Sequence, residues 1–478
     1  MKLANRMDNK KILLLIVLLS LITRFFILDA RPMDHDESIH AYLSYILMKN
    51  NYYRYDPAFH GPFLYYTTAA VFYLLGDSEF TSRLIPAVFS FLCIFTAYYF
   101  KKWIDSGAYL LVFFILFSTS ILYYSRYMRN DIIICGAFLA IILFYLKYLE
   151  SKKPIYIALI SFLFGIILTA KENGYIYLFT FISYLGLRQI ALKTGKIKFT
   201  KLLPHSKLKI VYVILASTLP FLLIFSALYT NLFTYPNGLN KATVGAISHW
   251  LEMHERKDHW KPIYYYSKLL IQYEFFPLGL FFISIPFFVK RLKNKQNNEL
   301  EFLSLYWVVL SFLAYHYISH KVPWLVLHLV LPLSLFSSLY ANELNKKLGN
   351  YFKLIICVGV ILTLFVSLNI NYINYNDVSE DLIYVQIQPP TIELSKKIIE
   401  LESSGETVVI YEPTNDYWPL PWYLRHEKRV FFSSQIISNY KYIVTSEKFI
   451  NEVEKKGYRT LQVFLIRPGH YLILTKRC

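Results

Sequence analysis

The sequence predicts a mainly α-helical protein that crosses a membrane many times and ends in a small α/β domain. Of its 478 residues 55% are hydrophobic and only 17% are charged, which is too little charge for a soluble protein of this length. Eleven apolar runs approach the roughly 20 residues that a helix needs to cross the hydrocarbon core. After about residue 371, shorter strand-like runs replace them.

The eleven runs are bounded by charged residues, proline or glycine. They are residues 12–28, 80–100, 107–125, 131–149, 154–170, 174–190, 210–230, 271–289, 301–318, 322–341 and 351–370. The first could be a secretory signal, but Asp29, Arg31 and Pro32 follow it instead of a small-residue cleavage site. We therefore interpret it as a membrane anchor.

Segment 61–76 decides the orientation, because it is apolar but shorter than the other runs. If it lies in the membrane interface, the Lys/Arg clusters of the short loops all fall on one side, which is typical of the cytoplasmic side. We therefore expect a cytoplasmic N-terminus, a membrane domain at 1–370 and an extracytoplasmic α/β domain at 371–478. Loop clusters also account for the net charge of +18, so nucleic acid is not an expected partner.

Within the tail, four runs have strand character and one has helix character. The strands are expected at 407–411, 430–433, 442–445 and 471–475, and the helix at 391–403.

Acidic residues gather in the first external loop, directly after the first span. Asp34, His35, Asp36 and Glu37 stand together there. A carboxylate beside an apolar wall is suited to general base catalysis, and with a histidine it can bind a divalent cation. The alternative is a solvated cap on a helix that begins near Asp36.

Two further external turns carry arginine or lysine. Arg126 and Arg129 lie in turn 125–131, and guanidinium groups suit phosphate recognition. Lys171 interrupts an apolar stretch and is a second phosphate candidate. The structural alternatives are an Arg129–Asp131 pair and a self-neutralising pair of Lys171 with its neighbour Glu172.

Histidines mark three more external segments. His320 and Lys321 stand beside a tryptophan in a short hairpin, where they could bind an anionic lipid head group. His60 opens segment 61–76 and is a substrate or metal candidate, unless it only starts a helix. His249, His254 and His259 recur every five residues in an expected loop, a spacing that does not favour zinc.

The order of these motifs resembles one family. Asp36-Glu37 with His40-Ala41, His60-Gly61-Pro62, Arg126 to Asp131, and Lys321 to Trp324 together resemble the lipid-linked-sugar glycosyltransferases of the GT-C superfamily. Protein O-mannosyltransferases and aminoarabinose transferases are similar. The stretch Trp418-Pro419-Leu420-Pro421-Trp422-Tyr423-Leu424-Arg425 resembles an archaeal subgroup named as flippase-activity-associated proteins.

The resemblance implies an inverting transfer of a hexose, expected to be mannose, from a polyprenyl or dolichyl phosphate to an acceptor on the external face. It implies Asp36 as the essential carboxylate, with Glu37 beside it. From their residue types and their position on the external face, we expect the donor phosphate to be bound by Arg126, Arg129, Lys171, His320 and Lys321.

Several points stay open. His35 and His60 are candidates for substrate or metal, but Phe59-His60-Gly61-Pro62 departs from the Glu-Lys-Pro-Pro stretch of aminoarabinose transferases, so a divalent cation is only a possible cofactor. The acceptor is a glycan, lipid or protein. Trp418, Trp422 and Arg425 either bind it or dock the tail on membrane lipid. The alternative function is a flippase, or a flippase accessory, for lipid-linked sugars.

Overall fold

The computed structural model describes residues 2–193, 200–202, 207–256, 259–437 and 439–478. They form two compact units. The helical unit comprises Met1–Phe26, Tyr52–Thr67 and Arg83–Ile373, and the sheet unit comprises Ile27–Asn51, Thr68–Ser82 and Asn374–Cys478.

The helices are numbered in chain order. The first twelve are α1 (Lys2–Phe25), α2 (His35–Asn50), α3 (Phe63–Leu75), α4 (Glu79–Ser82), α5 (Leu84–Tyr99), α6 (Lys101–Ile104), α7 (Gly107–Phe117), α8 (Thr119–Ser125), α9 (Asp131–Ser151), α10 (Pro154–Ala170), α11 (Gly174–Lys193) and α12 (Lys207–Tyr229). The others are α13 (Gly238–Asn240), α14 (Ala246–Arg256), α15 (Tyr265–Tyr273), α16 (Phe275–Lys293), α17 (Glu299–Tyr317), α18 (Leu327–Leu339), α19 (Ala341–Leu348), α20 (Asn350–Leu368), α21 (Pro390–Ser403), α22 (Leu420–Tyr423) and α23 (Ile450–Glu454). Short 3₁₀ turns cover Pro57–Phe59 and Pro323–Val326, and π turns cover Lys241–Gly245 and Asn369–Ile373.

Each of the eleven predicted spans overlaps a helix, and the predicted fold class is confirmed. Among the described residues, seven helices are long and apolar enough to cross a membrane, and two bent pairs raise this to nine. The pairs are α7 with α8, bent by 56°, and Pro323–Leu339 with α19, bent by 50°. Helix α10 is apolar but shorter. Eleven crossings, and the interfacial position of α3, stay predictions.

The bend between α7 and α8 is held by a buried carboxylate. Oε1 of Glu274 accepts hydrogen bonds from Ser118 Oγ at 2.7 Å, from Ser120 N at 2.8 Å and from Ser120 Oγ at 2.6 Å. These bonds occupy donors that the interruption of the helix leaves open. The apolar pattern of 107–125 predicted a continuous span and gave no sign of this break.

The sheet unit contains a five-stranded sheet of order β2-β1-β3-β5-β4. The strands are β1 (Val408–Tyr411), β2 (Val430–Ser433), β3 (Tyr442–Ser446), β4 (Tyr458–Arg467) and β5 (His470–Arg477). β1 pairs in parallel with β2 and β3, while β5 pairs antiparallel with β3 and β4. Four strands and α21 match the predicted positions. β4 was missed because it is an edge strand whose first half is exposed and lacks a clear alternation.

The sheet unit also takes two segments from the first hundred residues, which the division predicted at residue 370 did not include. Hydrogen bonds between residues far apart in sequence hold the first of these segments, Ile27–Asn51, to the tail. Met33 N donates to the Tyr423 hydroxyl at 2.9 Å, and Gln386 Nε2 donates to the Pro32 carbonyl at 3.1 Å. The first acidic loop therefore folds with the tail.

One predicted loop is wrong. Residues 249–256 of the expected loop lie in helix α14, which ends at Arg256. Ile247 and Leu251 are spaced four apart and favour a helix with one apolar face. The side chain of His254 lies outside the described part.

Candidate active site

A buried ion pair joins two loops of the helical unit. Lys171 is extended after the end of α10, and its Nζ lies 3.2 and 3.3 Å from the two carboxylate oxygens of Asp131, the first residue of α9. Lys171 is 6% exposed and Asp131 is fully buried. Burial lowers the pKa of Lys171, whereas the charge of Asp131 acts in the opposite direction. Asp131 thus holds the ammonium group in place.

A histidine that the sequence analysis did not select completes this network. His328 Nε2 lies 3.0 Å from Asp131 Oδ1, and its Nδ1 lies 2.6 Å from the Tyr177 hydroxyl. The ring stacks on Tyr315 with centroids 4.7 Å apart. A neutral ring with its proton on Nε2 satisfies both contacts, donating to Asp131 and accepting from Tyr177.

Lys171 lines a polar cavity of about 200 Å³ within the helical unit. Its lining includes Arg129, Lys171, Glu172, His249, His320 and Trp324. The Arg129 guanidinium stacks over the Trp324 ring, 3.7 Å from its centroid, and Lys171 Nζ is 6.0 Å from the same centroid. Two of the predicted phosphate ligands therefore meet beside one aromatic ring.

His60 also lines this cavity. Its Nδ1 is 3.2 Å from Glu172 Oε2, and the Tyr55 hydroxyl donates to Glu172 Oε1 at 2.9 Å. Burial and the nearby Lys171 lower the pKa of His60, although Glu172 acts in the opposite direction. Glu172 thus pairs with His60 and Lys171 with Asp131, so the self-neutralising Lys171–Glu172 pair is not the arrangement found.

Two polar atoms of the lining have no hydrogen-bond partner among the described residues: His320 Nδ1 and the Tyr315 hydroxyl. Buried polar atoms are normally paired, so such atoms in a cavity favour a polar ligand. Burial, with the neighbouring His259 and Lys171, lowers the pKa of His320 to about 3. His320 is therefore neutral at physiological pH and contributes a hydrogen bond instead of a charge.

The remaining phosphate candidates lie elsewhere in the helical unit. Arg126 Nη1 donates to the carbonyls of Phe26 at 2.8 Å and Thr23 at 3.2 Å, and its guanidinium stands over the Tyr372 ring. Lys321 is buried, and its Nζ donates to the Ile318 carbonyl. Neither lines the cavity.

In the acidic loop of the sheet unit, the neighbouring carboxylates Asp36 and Glu37 have different surroundings. Asp34 caps α2 by accepting from Asp36 N at 2.8 Å and from Glu37 N at 3.3 Å, and Glu37 Oε2 accepts from Asp34 N at 3.3 Å to complete the capping box. Fully buried Glu37 also pairs with Arg31 at 3.1 Å. The Asp36 side chain is 33% exposed and lies 3.2 Å from His35 Nδ1. Capping, one of the two alternatives weighed from the sequence, is carried by Asp34 and Glu37.

The tail aromatics mostly pack inside the sheet unit. Trp422 is 1% exposed and stacks on Phe72, and Arg425 covers its ring at 3.7 Å while pairing with Asp77 at 2.6 Å. Such buried contacts leave no open face of the Trp422 ring on which a sugar could stack, and they occupy the Arg425 guanidinium. Trp418 is half-buried beside Tyr42.

Comparison with known proteins gives one family match and several structural matches. The family model of dolichyl-phosphate-mannose-protein mannosyltransferases matches residues 59–224. The fold is similar to ArnT from Cupriavidus metallidurans bound to undecaprenyl phosphate, with a TM-score of 0.66, 14% identity and coverage of 97% of both chains. The apo form of ArnT gives 0.65, 14% and 98% of both chains. Residues 59–224 therefore match a mannosyltransferase family model, and the whole chain has the fold of ArnT.

The oligosaccharyltransferase of Archaeoglobus fulgidus, in complex with zinc and sulfate, is a further structural match to this chain. The TM-score is 0.58 at 11% identity, with 93% of this chain and 69% of that chain covered. No curated protein sequence matches. The predicted fold is confirmed by these matches, whereas the archaeal subgroup stays a prediction.

The family match contains Arg129, Asp131 and Lys171 but not Asp36 or His320. Within the described residues, no group of three His, Cys, Asp or Glu side chains is placed to hold a metal ion. A divalent cation therefore stays a possibility raised by the sequence alone.

Proposed function

We propose that the enzyme transfers a hexose, with mannose as the expected sugar, from a polyprenyl phosphate to an acceptor hydroxyl on the extracytoplasmic face. The observation that carries the proposal is the cavity in which Arg129, Lys171 and neutral His320 converge. Buried cations with a hydrogen-bonding neighbour suit a phosphate. The family model names dolichyl-phosphate-mannose, and the similar ArnT structure holds undecaprenyl phosphate, which support this donor class.

The cavity would act on the leaving group. As the bond between the anomeric carbon and the phosphate oxygen breaks, negative charge grows on the lipid phosphate. Lys171 and Arg129 are already fixed, by Asp131 and by stacking on Trp324, so they stabilise that charge with little reorganisation. Asp131 and His328 are positioning residues, because they act through Lys171.

Asp36 would act on the acceptor. The acceptor oxygen attacks the anomeric carbon as the phosphate leaves, and its proton passes to the Asp36 carboxylate, so the sugar inverts. We assign this role to Asp36 instead of Glu37 because Glu37 is fully buried against Arg31, while Asp36 is 33% exposed.

Replacing the base tests this assignment. Asp36→Asn should lower kcat by about 10²- to 10⁴-fold, since proton transfer to the base is lost. The measurement is single-turnover transfer from dolichyl phosphate mannose in proteoliposomes, with thermal unfolding recorded in parallel. Asp29→Asn, at an exposed carboxylate of the same segment, is the matched control and should retain activity. Full activity of folded Asp36→Asn would overturn the proposal.

Lipid flipping is not the favoured function, because the family match and the fold point to transfer. A translocation assay with a fluorescent lipid-linked sugar, run beside the transfer assay, separates the two functions. Transfer without translocation is the expected result.

The acceptor and the face of the membrane can be identified together. Mass spectrometry of surface glycans from a deletion strain should show one hexose missing from a defined acceptor. A change confined to cytoplasmic glycans would contradict the proposed orientation.

A further inference from the structure

The helical unit contains a second cavity, the apolar groove, far from the polar one. It has a volume of about 400 Å³, and its lining from helices α9 to α12 includes Tyr145, Tyr148, Phe181, Val213 and Phe221. Tyr148 follows Asp131 along α9 by 148 − 131 = 17 residues, which is about 25 Å at about 1.5 Å per residue. The Tyr148 end of the groove therefore lies at the opposite end of α9 from Asp131, the partner of Lys171.

The polar groups of the groove wall are already hydrogen-bonded. The Tyr145 hydroxyl donates to Glu299 Oε1 at 2.7 Å, and the Tyr148 hydroxyl donates to the Leu202 carbonyl at 2.9 Å. Only rings and aliphatic groups are thus left for an occupant, and such a surface favours a hydrocarbon chain. Ile182 lines the groove yet is 58% exposed, so the groove opens sideways from the helical unit.

One wall is held by a hydroxyl inserted into a helix. Pro220 lies inside α12, where a proline distorts the backbone hydrogen bonds. Ser161 Oγ of α10 bridges the gap, accepting from Phe221 N at 3.1 Å and donating to the Ser217 carbonyl at 2.9 Å. The two helices are fixed at this point, so the groove is a built feature of the fold.

The end of the groove near Tyr148 is basic. Lys152 Nζ stands 5.3 Å from the centre of the Tyr148 ring and donates to the Lys201 carbonyl. Lys153 follows directly, and Lys152 and Lys201 lie at the groove end that carries Leu202. Basic side chains beside an apolar pocket between membrane helices favour anionic lipid head groups.

We propose that the groove binds one hydrocarbon chain of an anionic phospholipid, whose phosphate lies against Lys152 and Lys201. The charge at the groove end selects an anionic lipid over a neutral one. The site is distinct from the donor site, because the two cavities share no lining residue and Lys152 lies at the other end of α9 from Asp131.

The test measures the lipid bound to the full chain. The protein is reconstituted in nanodiscs of phosphatidylcholine with a minor fraction of phosphatidylglycerol, extracted, and analysed by native mass spectrometry. Wild type should retain one phosphatidylglycerol. Val213→Trp, which fills the groove, should reduce retention by about tenfold or more, equivalent to about 1.4 kcal/mol. Leu215→Trp, on an exposed face of the same helix outside the lining, should not change it.

A second pair of variants tests the charge without altering the packing. Lys152 has a positive φ of 54°, which asparagine tolerates, so Lys152→Asn should weaken phosphatidylglycerol retention. Lys295→Asn, at φ 55° in another loop, is the control and should leave retention unchanged. The proposal would be overturned if wild type retained phosphatidylcholine as well as phosphatidylglycerol, or if Val213→Trp retained as much phosphatidylglycerol as wild type. One-for-one displacement of the phosphatidylglycerol by a polyprenyl phosphate would also overturn it.

Discussion

The carboxylates near the ends of the predicted spans differ in their contacts between the two units. In the helical unit, Asp131 and Glu172 are each bound to a basic partner, Lys171 and His60 respectively. In the sheet unit, Glu37 is bound in the same way, whereas Asp36 keeps a 33% exposed side chain beside His35. A buried, paired carboxylate orders its partner, and an exposed one can receive a proton. The contacts of a carboxylate therefore indicate its role better than its place in a motif.

The strongest test of this comparison breaks the ion pair of the helical unit. Lys171→Met leaves Asp131 buried without the ammonium group, and Asp131→Asn leaves Lys171 buried without the carboxylate. Each should lower the free energy of unfolding by about 3–5 kcal/mol, because an uncompensated buried charge is costly. The measurement is chemical unfolding of the detergent-solubilised protein.

The double variant Asp131→Asn/Lys171→Met is the control, since it removes both charges. It should be more stable than either single variant but still defective in transfer, because the phosphate ligand is absent. Additive losses of stability would show that the pair does not couple the two loops.

The second test compares neighbours in the acidic loop. Glu37→Gln should lower the free energy of unfolding by about 1–3 kcal/mol, because the buried Arg31 loses its charged partner. Folded Glu37→Gln should keep its specific activity, in contrast to Asp36→Asn. A stable but inactive Glu37→Gln protein would instead place Glu37 in the catalytic step.

Much of the fold was predictable, because a membrane helix is encoded locally by the length and apolarity of one run. The helices of the predicted spans and four strands of the tail follow from such local patterns. The breaks within spans were not predictable, since Glu274 stabilises the bend at Ser118 from more than 150 residues away. Edge strand β4 lacks the alternation that a half-buried strand shows.

The candidate site was predictable only in part. Arg129, Lys171, His60 and His320 stood out because polar residues are rare at the ends of apolar spans, and they line one cavity. His328 was missed, because a lone histidine in an apolar run matches no motif and its partners Asp131 and Tyr177 are distant in sequence. Pairing of Lys171 with Asp131, instead of with the adjacent Glu172, likewise depends on tertiary structure.

The smallest expected effect concerns the protonation of the cavity. His320 has a pKa of about 3 in the folded protein, whereas an unfolded histidine has about 6.5. As the pH falls through about 6.5, the unfolded chain therefore gains a proton that the folded chain does not bind, and stability is lost. Between pH 8 and pH 6 this amounts to about 1 kcal/mol.

His320→Gln should remove that part of the pH dependence of unfolding, while Tyr315→Phe, at a cavity residue that does not titrate in this range, should preserve it. An unchanged pH dependence in His320→Gln would mean that the folded protein does not lower the pKa of His320 below that of the unfolded chain.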